Sequence, residues 1–339
     1  MNMTTLYTGG MSVYSQGNAS GNGSSGTLGS LNIENKVMNV FSILVLAITM
    51  TSLGCSMEIS KIRDHLFKPK GVAIALVAQF GIMPFTAFCT AKWLRMNDLK
   101  AVTLLICGCC PGGTLSNIFT LAIKGDMNLS IVLTTCSSFA ALGLMPLMLY
   151  IYCQGFANLT HAVPYVSIVT TLVLTLVPCA IGITIKYYKP KYTAVIQKVG
   201  FSILVLFSVL AVILCGVAVK ELLWKVLTPD NLTAAALMPG IGYILGYVLS
   251  LIFRFSAPCR RTISMETGCQ NIQLCFAILK VAFPLEVIGP MFLFPLIYMT
   301  FQSVEALLLI LCFRCYQTLT APAEDLQEYT NVDIKPGEP

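Results

Sequence analysis

Glu266 stands in the run Ser264-Met265-Glu266-Thr267-Gly268-Cys269-Gln270-Asn271, between the pair Arg260-Arg261 and the apolar stretch from Ile272 to Phe283. A carboxylate in such surroundings is costly unless it faces a hydrated, protein-lined or ion-occupied interior. From Glu266 to Asn271, cysteine and glycine apart, every side chain carries oxygen, and Gly268 lets the backbone leave helical geometry. Hard cations such as Na⁺ take oxygen ligands, which Glu, Gln and Asn side chains and the carbonyls of an unwound helix supply.

A second polar interruption is Cys110-Pro111-Gly112-Gly113-Thr114-Leu115-Ser116-Asn117. Proline removes a backbone donor and paired glycines tolerate unwinding, so a helix here should be discontinuous, with Ser116 and Asn117 just beyond the break. A phosphate-binding loop would need Gly-Lys-Ser/Thr, which does not follow. Gly113 and Gly268 are separated by almost the same length of chain as Asn117 and Asn271. Two glycine-containing breaks therefore occupy corresponding places in two halves, the pattern of an inverted-repeat secondary transporter with discontinuous helices near the midplane. An ordinary kink with packed polar residues explains either break alone, but poorly explains the pair together with Glu266. Gln79 lies mid-span in Ala78-Gln79-Phe80-Gly81, and Ser130 and Thr134 share one helix face just after Asp126-Met127-Asn128. Hydroxyls in membrane helices commonly bond their own i−4 carbonyl, the plainer reading of Ser130 and Thr134.

The elements that must position these groups are apolar. Of 339 residues 56% are hydrophobic and 11% charged, and mean hydropathy is +0.79, which excludes an ordinary soluble domain. Stretches of about 20 residues, enough to cross roughly 30 Å of hydrocarbon, recur along the chain. They predict an all-α polytopic membrane protein of nine spans, at about 36–57, 70–92, 99–123, 128–153, 164–188, 195–219, 232–254, 262–284 and 286–316. Residues 1–33 are rich in Gly, Ser, Asn and Thr, with neither the basic nor the apolar region of a signal peptide, and read as a disordered tail. The polar segment 318–339 reads as a second tail. With the N-terminus outside, fourteen of the 21 Lys and Arg residues fall inside, so the positive-inside rule favours N-out, C-in. The net charge of +6 then needs no nucleic acid. Glycan acceptors Asn2, Asn18 and Asn22 lie in the external tail.

Fourteen cysteines face only two histidines, His65 and His161, both assigned to loops. That removes a cysteine–histidine metal centre, and most of the thiols sit inside apolar spans as small packing residues. Cys312 and Cys315, at the inner edge, are candidates for palmitoylation. No constellation of catalytic groups is present.

Four runs carry a family resemblance: Lys68 to Ala75, Pro111 to Asn117, Lys124 to Ser130 and Met265 to Asn271. Over about residues 36–316 the chain resembles the sodium/bile acid cotransporters. Ser264–Asn271 and Lys124–Ser130 are nearest the liver-type branch, and Cys109–Thr114 the ileal type. The resemblance implies two Na⁺ sites, one of Ser116, Asn117, Ser130, Thr134 and Glu266. The other would use Gln79, Gln270, Glu266 and the carbonyls of Thr267 and Cys269, with Na⁺ as coupling ion and no resident cofactor. Asn271, at the crossing of the broken helices, is the implied substrate contact. A core (about 70–153 and 232–316) and a panel (about 36–57 and 164–219) are implied within a transporter domain spanning 34–317, with four spans in the first repeat and five in the second. The implied activity is electrogenic symport of two Na⁺ with one bile salt such as taurocholate, by alternating access at the plasma membrane, basolateral in hepatocytes for a liver-type member. A homo-oligomer is compatible with this. The alternatives are an ileal-type bile acid or steroid sulfate symporter and, in another class, a multi-helix receptor; a channel would need a polar pore ring.

Overall fold

The computed structural model describes residues 44–57, 70–156, 163–217, 224–283 and 285–320. The tails with Asn2, Asn18 and Asn22, and the loops with His65 and His161, lie outside the described residues. Regular structure is helical apart from one backbone bridge: α1 Leu44–Ser56, α2 Lys70–Trp93, α3 Asp98–Cys109, α4 Thr114–Ala122, α5 Met127–Cys153, α6 Tyr165–Tyr188 and α7 Pro190–Val217. Then come α8 Pro229–Ile252, α9 Ala257–Gly268, α10 Ile272–Ala282 and, after a 3₁₀ turn at Gly289–Leu293, α11 Phe294–Thr320. Among the described residues, five segments are long and apolar enough to cross a membrane: α2, α5, α6, α8 and Gly289–Thr320. α11 continues to Thr320, three residues into the stretch expected to be tail.

The two breaks have different causes. Cys110 precedes Pro111, whose ring disfavours helical geometry in the preceding residue, and Cys110 is extended (φ −64°, ψ 150°). α3 therefore stops at Cys109, and α4 begins at Thr114 behind the extended Gly113. In the second broken helix Glu266, Thr267 and Gly268 are still helical, and the unwound residues are 269–271. The expectation that Gly268 frees the backbone is corrected: among the described residues the only glycine with positive φ is Gly289. Gly268 is required by space instead, since a Cβ there would lie 2.3 Å from the Tyr243 ring.

α2 contains a π turn at Ala78–Ile82, where Met83 N–H reaches back five residues to the Ala78 carbonyl. Pro84 explains it: with no N–H to offer the fourth residue back, and a ring that crowds that carbonyl, the ladder widens by one residue. Gln79 sits within the widened turn.

α3 lies at the centre, with Ala101 through Cys109 all buried, and packs on α2, α5 and α10. α9 lies against α8 along a Gly242-x-x-x-Gly246 face, where a Cβ on Gly242 would come within 2.8 Å of Gly268 Cα and one on Gly246 within 2.9 Å of Thr267. Small residues at this spacing let membrane helices approach closely. α1 and α6 cross equally tightly: a Cβ on Gly54 or on Gly182 would lie 2.1 Å from the other helix's backbone carbonyl. Gln197 of α7 joins them, donating to the Cys55 carbonyl at 3.0 Å.

Candidate functional site

The unwound segments 110–113 and 269–271 run antiparallel and bond to each other. Gly113 N–H donates to the Cys269 carbonyl at 3.3 Å, Asn271 N–H donates to the Pro111 carbonyl at 2.9 Å, and Gly112 bridges Gln270. Backbone groups released by each break are thus satisfied by the other, as burial in an apolar setting requires. A Cβ on Gly112 would overlap the Glu266 carboxylate at 2.1 Å, and one on Gly113 would press Asn271 and Gln270 at 3.0 Å. The glycines of the first break make room for the acid of the second.

One oxygen cluster surrounds Glu266, which is 2% exposed. Ser116 Oγ donates to Glu266 Oε2 at 2.6 Å and Thr134 Oγ1 to Oε1 at 2.7 Å. Among the described residues no lysine or arginine pairs with this carboxylate. Asn117 Oδ1 accepts from Ser130 Oγ at 2.8 Å and from Thr134 Oγ1 at 3.5 Å. α4, α5 and α9 each supply part of the cluster, so all five residues implied for the first cation site are brought together.

Both hydroxyls beside the acid have an alternative acceptor. Ser116 Oγ lies 2.6 Å from the Gly113 carbonyl, and Thr134 Oγ1 lies 3.1 Å from the Ser130 carbonyl. Each has a single proton and cannot serve both partners at once. The carbonyl of the back-bond expected for Thr134 is thus within reach as the alternative to its contact with Glu266.

A second cluster lies on the other side of the crossing. Gln79 Nε2 donates to Gln270 Oε1 and to the Cys110 carbonyl, both at 2.7 Å, and Gln270 Nε2 donates to the Thr267 carbonyl at 3.0 Å. Gln79 Oε1 is buried without a hydrogen-bond partner. A buried amide oxygen left this way is costly unless something else binds it, and it has the chemistry a hard cation requires. Gln79, Thr267 and Gln270 converge here, while the Cys269 carbonyl accepts from Gly113 N–H and Glu266 is hydrogen-bonded to the first cluster and to neither glutamine. Asn271 Oδ1 is engaged as the N-cap of α10, accepting from Leu274 N–H at 3.1 Å.

Gln302 of α11 was not singled out from sequence. Its Oε1 accepts from Gln270 N–H at 3.1 Å and its Nε2 donates to the Gln270 carbonyl at 3.4 Å, clamping the second break from outside. Tyr243 OH donates to the Gln302 carbonyl at 2.8 Å, tying α8 to the same point. The signal was available: Gln302 is a fully buried amide inside an apolar run, as Gln79 is.

A sequence profile of the Sodium Bile acid symporter family matches residues 43–228, which contain the first break but end before Glu266. Individual relatives reach further. The hepatic sodium/bile acid cotransporter of Homo sapiens is 54% identical over 289 residues, covering 85% of this chain and 83% of the relative. Its counterpart from Rattus norvegicus is 53% identical over 291 residues, covering 85% and 80%. The sodium-dependent organic anion transporter of Homo sapiens is 41% identical over 284 residues, covering 83% and 74%. With crossed, broken helices framing a buried acid among oxygen donors, and with these matches, the chain belongs to the sodium bile acid symporter family.

Proposed function

We propose that the chain is an electrogenic symporter carrying two Na⁺ inward with one conjugated bile salt anion, by alternating access. The observation that carries this is Glu266: a buried carboxylate bonded only to hydroxyls among the described residues, at the crossing of two broken helices. On this reading the first Na⁺ takes Ser116, Asn117, Ser130, Thr134 and Glu266. Its arrival turns the lone pairs of Ser116 and Thr134 toward the ion and sends their protons to the Gly113 and Ser130 carbonyls, both already within reach. The second Na⁺ takes the orphaned Gln79 oxygen with Gln270, the shared Glu266 carboxylate and the carbonyls of Thr267 and Cys269, releasing the amide-to-amide bond between the glutamines. Both events stiffen the crossing, so cation occupancy prepares the anion site beside Asn271.

The architecture proposed is nine spans in inverted repeats of four and five, with the N-terminus outside. The core would comprise about 70–153 and 232–316, and the panel 36–57 and 164–219. Tight packing of α1, α6 and α7 supports the panel as one unit. A tenfold Na⁺ gradient supplies about 1.4 kcal/mol per ion, and one net charge moving through about 50 mV adds roughly 1.2 kcal/mol. Together these give about 4 kcal/mol, enough for about a thousandfold gradient of the anion. The names of the human and rat hepatic relatives support a bile salt as cargo and the liver as the place to look. The organic anion transporter relative supports another organic anion as the second candidate cargo, and a steroid sulfate would be one such anion.

The test is taurocholate uptake by cells expressing the chain, with Na⁺ and with choline in its place. Concentrative uptake that needs Na⁺ and disappears in Glu266→Ala at unchanged surface expression is expected. A receptor would show no uptake, and a channel no accumulation against a gradient.

A further inference from the structure

One cavity lies apart from both oxygen clusters. About 540 Å³ opens between α8, α9 and α11, with Ile244, Val248, Ser264, Leu309 and Phe313 in its walls and Arg261 at one end. Ile244, Val248 and Leu309 are exposed, so the groove is open along the apolar flank of the helices. Its cationic end is only partly satisfied. Arg261 lies 4.7 Å from the Phe313 ring centroid and donates from Nη2 to the Lys124 carbonyl at 2.6 Å, but its Nε is buried without a partner. Arg260 Nε is likewise buried and unpartnered, with its guanidinium 5.8 Å from the ring centroid of Tyr247, another wall residue. Arg314 approaches the same corner, donating from Nε to the Ala122 carbonyl at 3.0 Å.

Arg314 caps the last carbonyl of α4 and Arg261 holds the Lys124 carbonyl just beyond it, a structural role that uses one donor from each. A guanidinium has five N–H donors, and among the described residues no carboxylate is ion-paired with Arg260, Arg261, Arg314 or Lys124. Asp126, the acid nearest in sequence, caps α5 through the Leu129 N–H. An apolar groove open to the side and closed at one end by under-satisfied arginines complements an amphipath with an anionic head. Under the proposed topology this end faces the cytoplasm, where anionic phospholipids are concentrated and where basic pockets between helices bind their head groups.

We infer that the groove between α8, α9 and α11 seats an anionic phospholipid of the cytoplasmic leaflet. Its phosphate lies on Arg261 beside Arg260, and an acyl chain lies along Ile244, Val248 and Leu309. Bidentate guanidinium–phosphate pairing suits this position better than a lysine would.

The test uses the full chain in detergent with phosphatidylglycerol carrying a photoactivatable acyl chain. Wild-type protein should be labelled within 244–248 and 309–316. Arg261→Gln should lower phosphatidylglycerol retention in native mass spectra about tenfold, the value of one charge-assisted hydrogen bond. Because Arg261 also caps α4, a second variant, Leu309→Trp, fills the groove and leaves the arginines intact; it should lose retention while keeping Na⁺-dependent uptake. Labelling elsewhere, equal labelling by phosphatidylcholine, displacement by millimolar inorganic phosphate, or displacement by taurocholate would each overturn the assignment. The labelling needs no transport, so its failure is distinguishable from failure of the symport reading.

Discussion

Ser116 and Thr134 hold Glu266 with protons they can send elsewhere, and this makes the acid suited to a cation that comes and goes. Thr134→Val removes a proposed ligand while keeping the shape. Sodium half-saturation of taurocholate uptake should rise about tenfold, as the loss of one charge-assisted contact implies, with little change at saturating Na⁺; a sodium titration corrected for surface expression checks this. Gly112→Ala makes a sharper case, because its methyl group would occupy the place of Glu266 Oε1, 2.1 Å away. Overpacking of this kind costs about 1–3 kcal/mol, and Na⁺-dependent uptake should fall at least tenfold while protein still reaches the surface. Glu266, Ser116, Asn117 and Gln79 were legible in the sequence because oxygen-bearing side chains at lipid depth have few structural uses. Gln302 meets the same criterion and was passed over because no proline or glycine break marks its surroundings. The partnerless oxygen of Gln79 was not legible, since it depends on which partner its nitrogen finds.

Pro84 acts on Gln79 through the helix that carries both. Replacing it with alanine restores a donor to the ladder, which should collapse the π turn to regular α-helix and rotate Gln79 relative to the crossing. The expected outcome is a several-fold rise in sodium half-saturation without loss of surface expression, measured by the same titration. Gly246→Leu acts on α9 by a different route: its side chain would enter the space held by Thr267, separating α8 from the helix that bears Glu266. Reduced surface expression and a lower melting temperature are expected, by about 2 kcal/mol of stability, and detergent-phase thermal unfolding reads this directly. Helix bounds followed hydrophobic length closely: α2 was expected at 70–92 and spans Lys70–Trp93, and α5 was expected at 128–153 and spans Met127–Cys153. The first break was visible because proline dictates its position. The second was placed too early, because Gly268 was credited with conformational freedom when the crowding of Tyr243 is what demands it. The π turn was hidden because hydrophobic periodicity does not record a missing donor.

Across the molecule, two clusters of oxygens meet at one crossing of broken helices, within helices whose exposed side chains are largely apolar. On the proposed reading the chain couples two gradients. The thermodynamic content is that the salt gradient reaches the cargo only through cation occupancy at the crossing, reciprocally: bile salt should raise Na⁺ affinity by the same factor that Na⁺ raises bile salt affinity. Net movement of one positive charge per cycle should appear as an inward current on adding taurocholate in Na⁺ medium, and as no current in choline. Cation binding at the crossing is tested with least intervening machinery by equilibrium binding of radiolabelled Na⁺ to purified protein. Wild-type protein should saturate at two ions per chain, and Glu266→Gln, which keeps the side chain's volume but removes its charge, should lose the Glu266-dependent binding at the same Na⁺ concentration. Two ions bound with undiminished affinity by Glu266→Gln would contradict it.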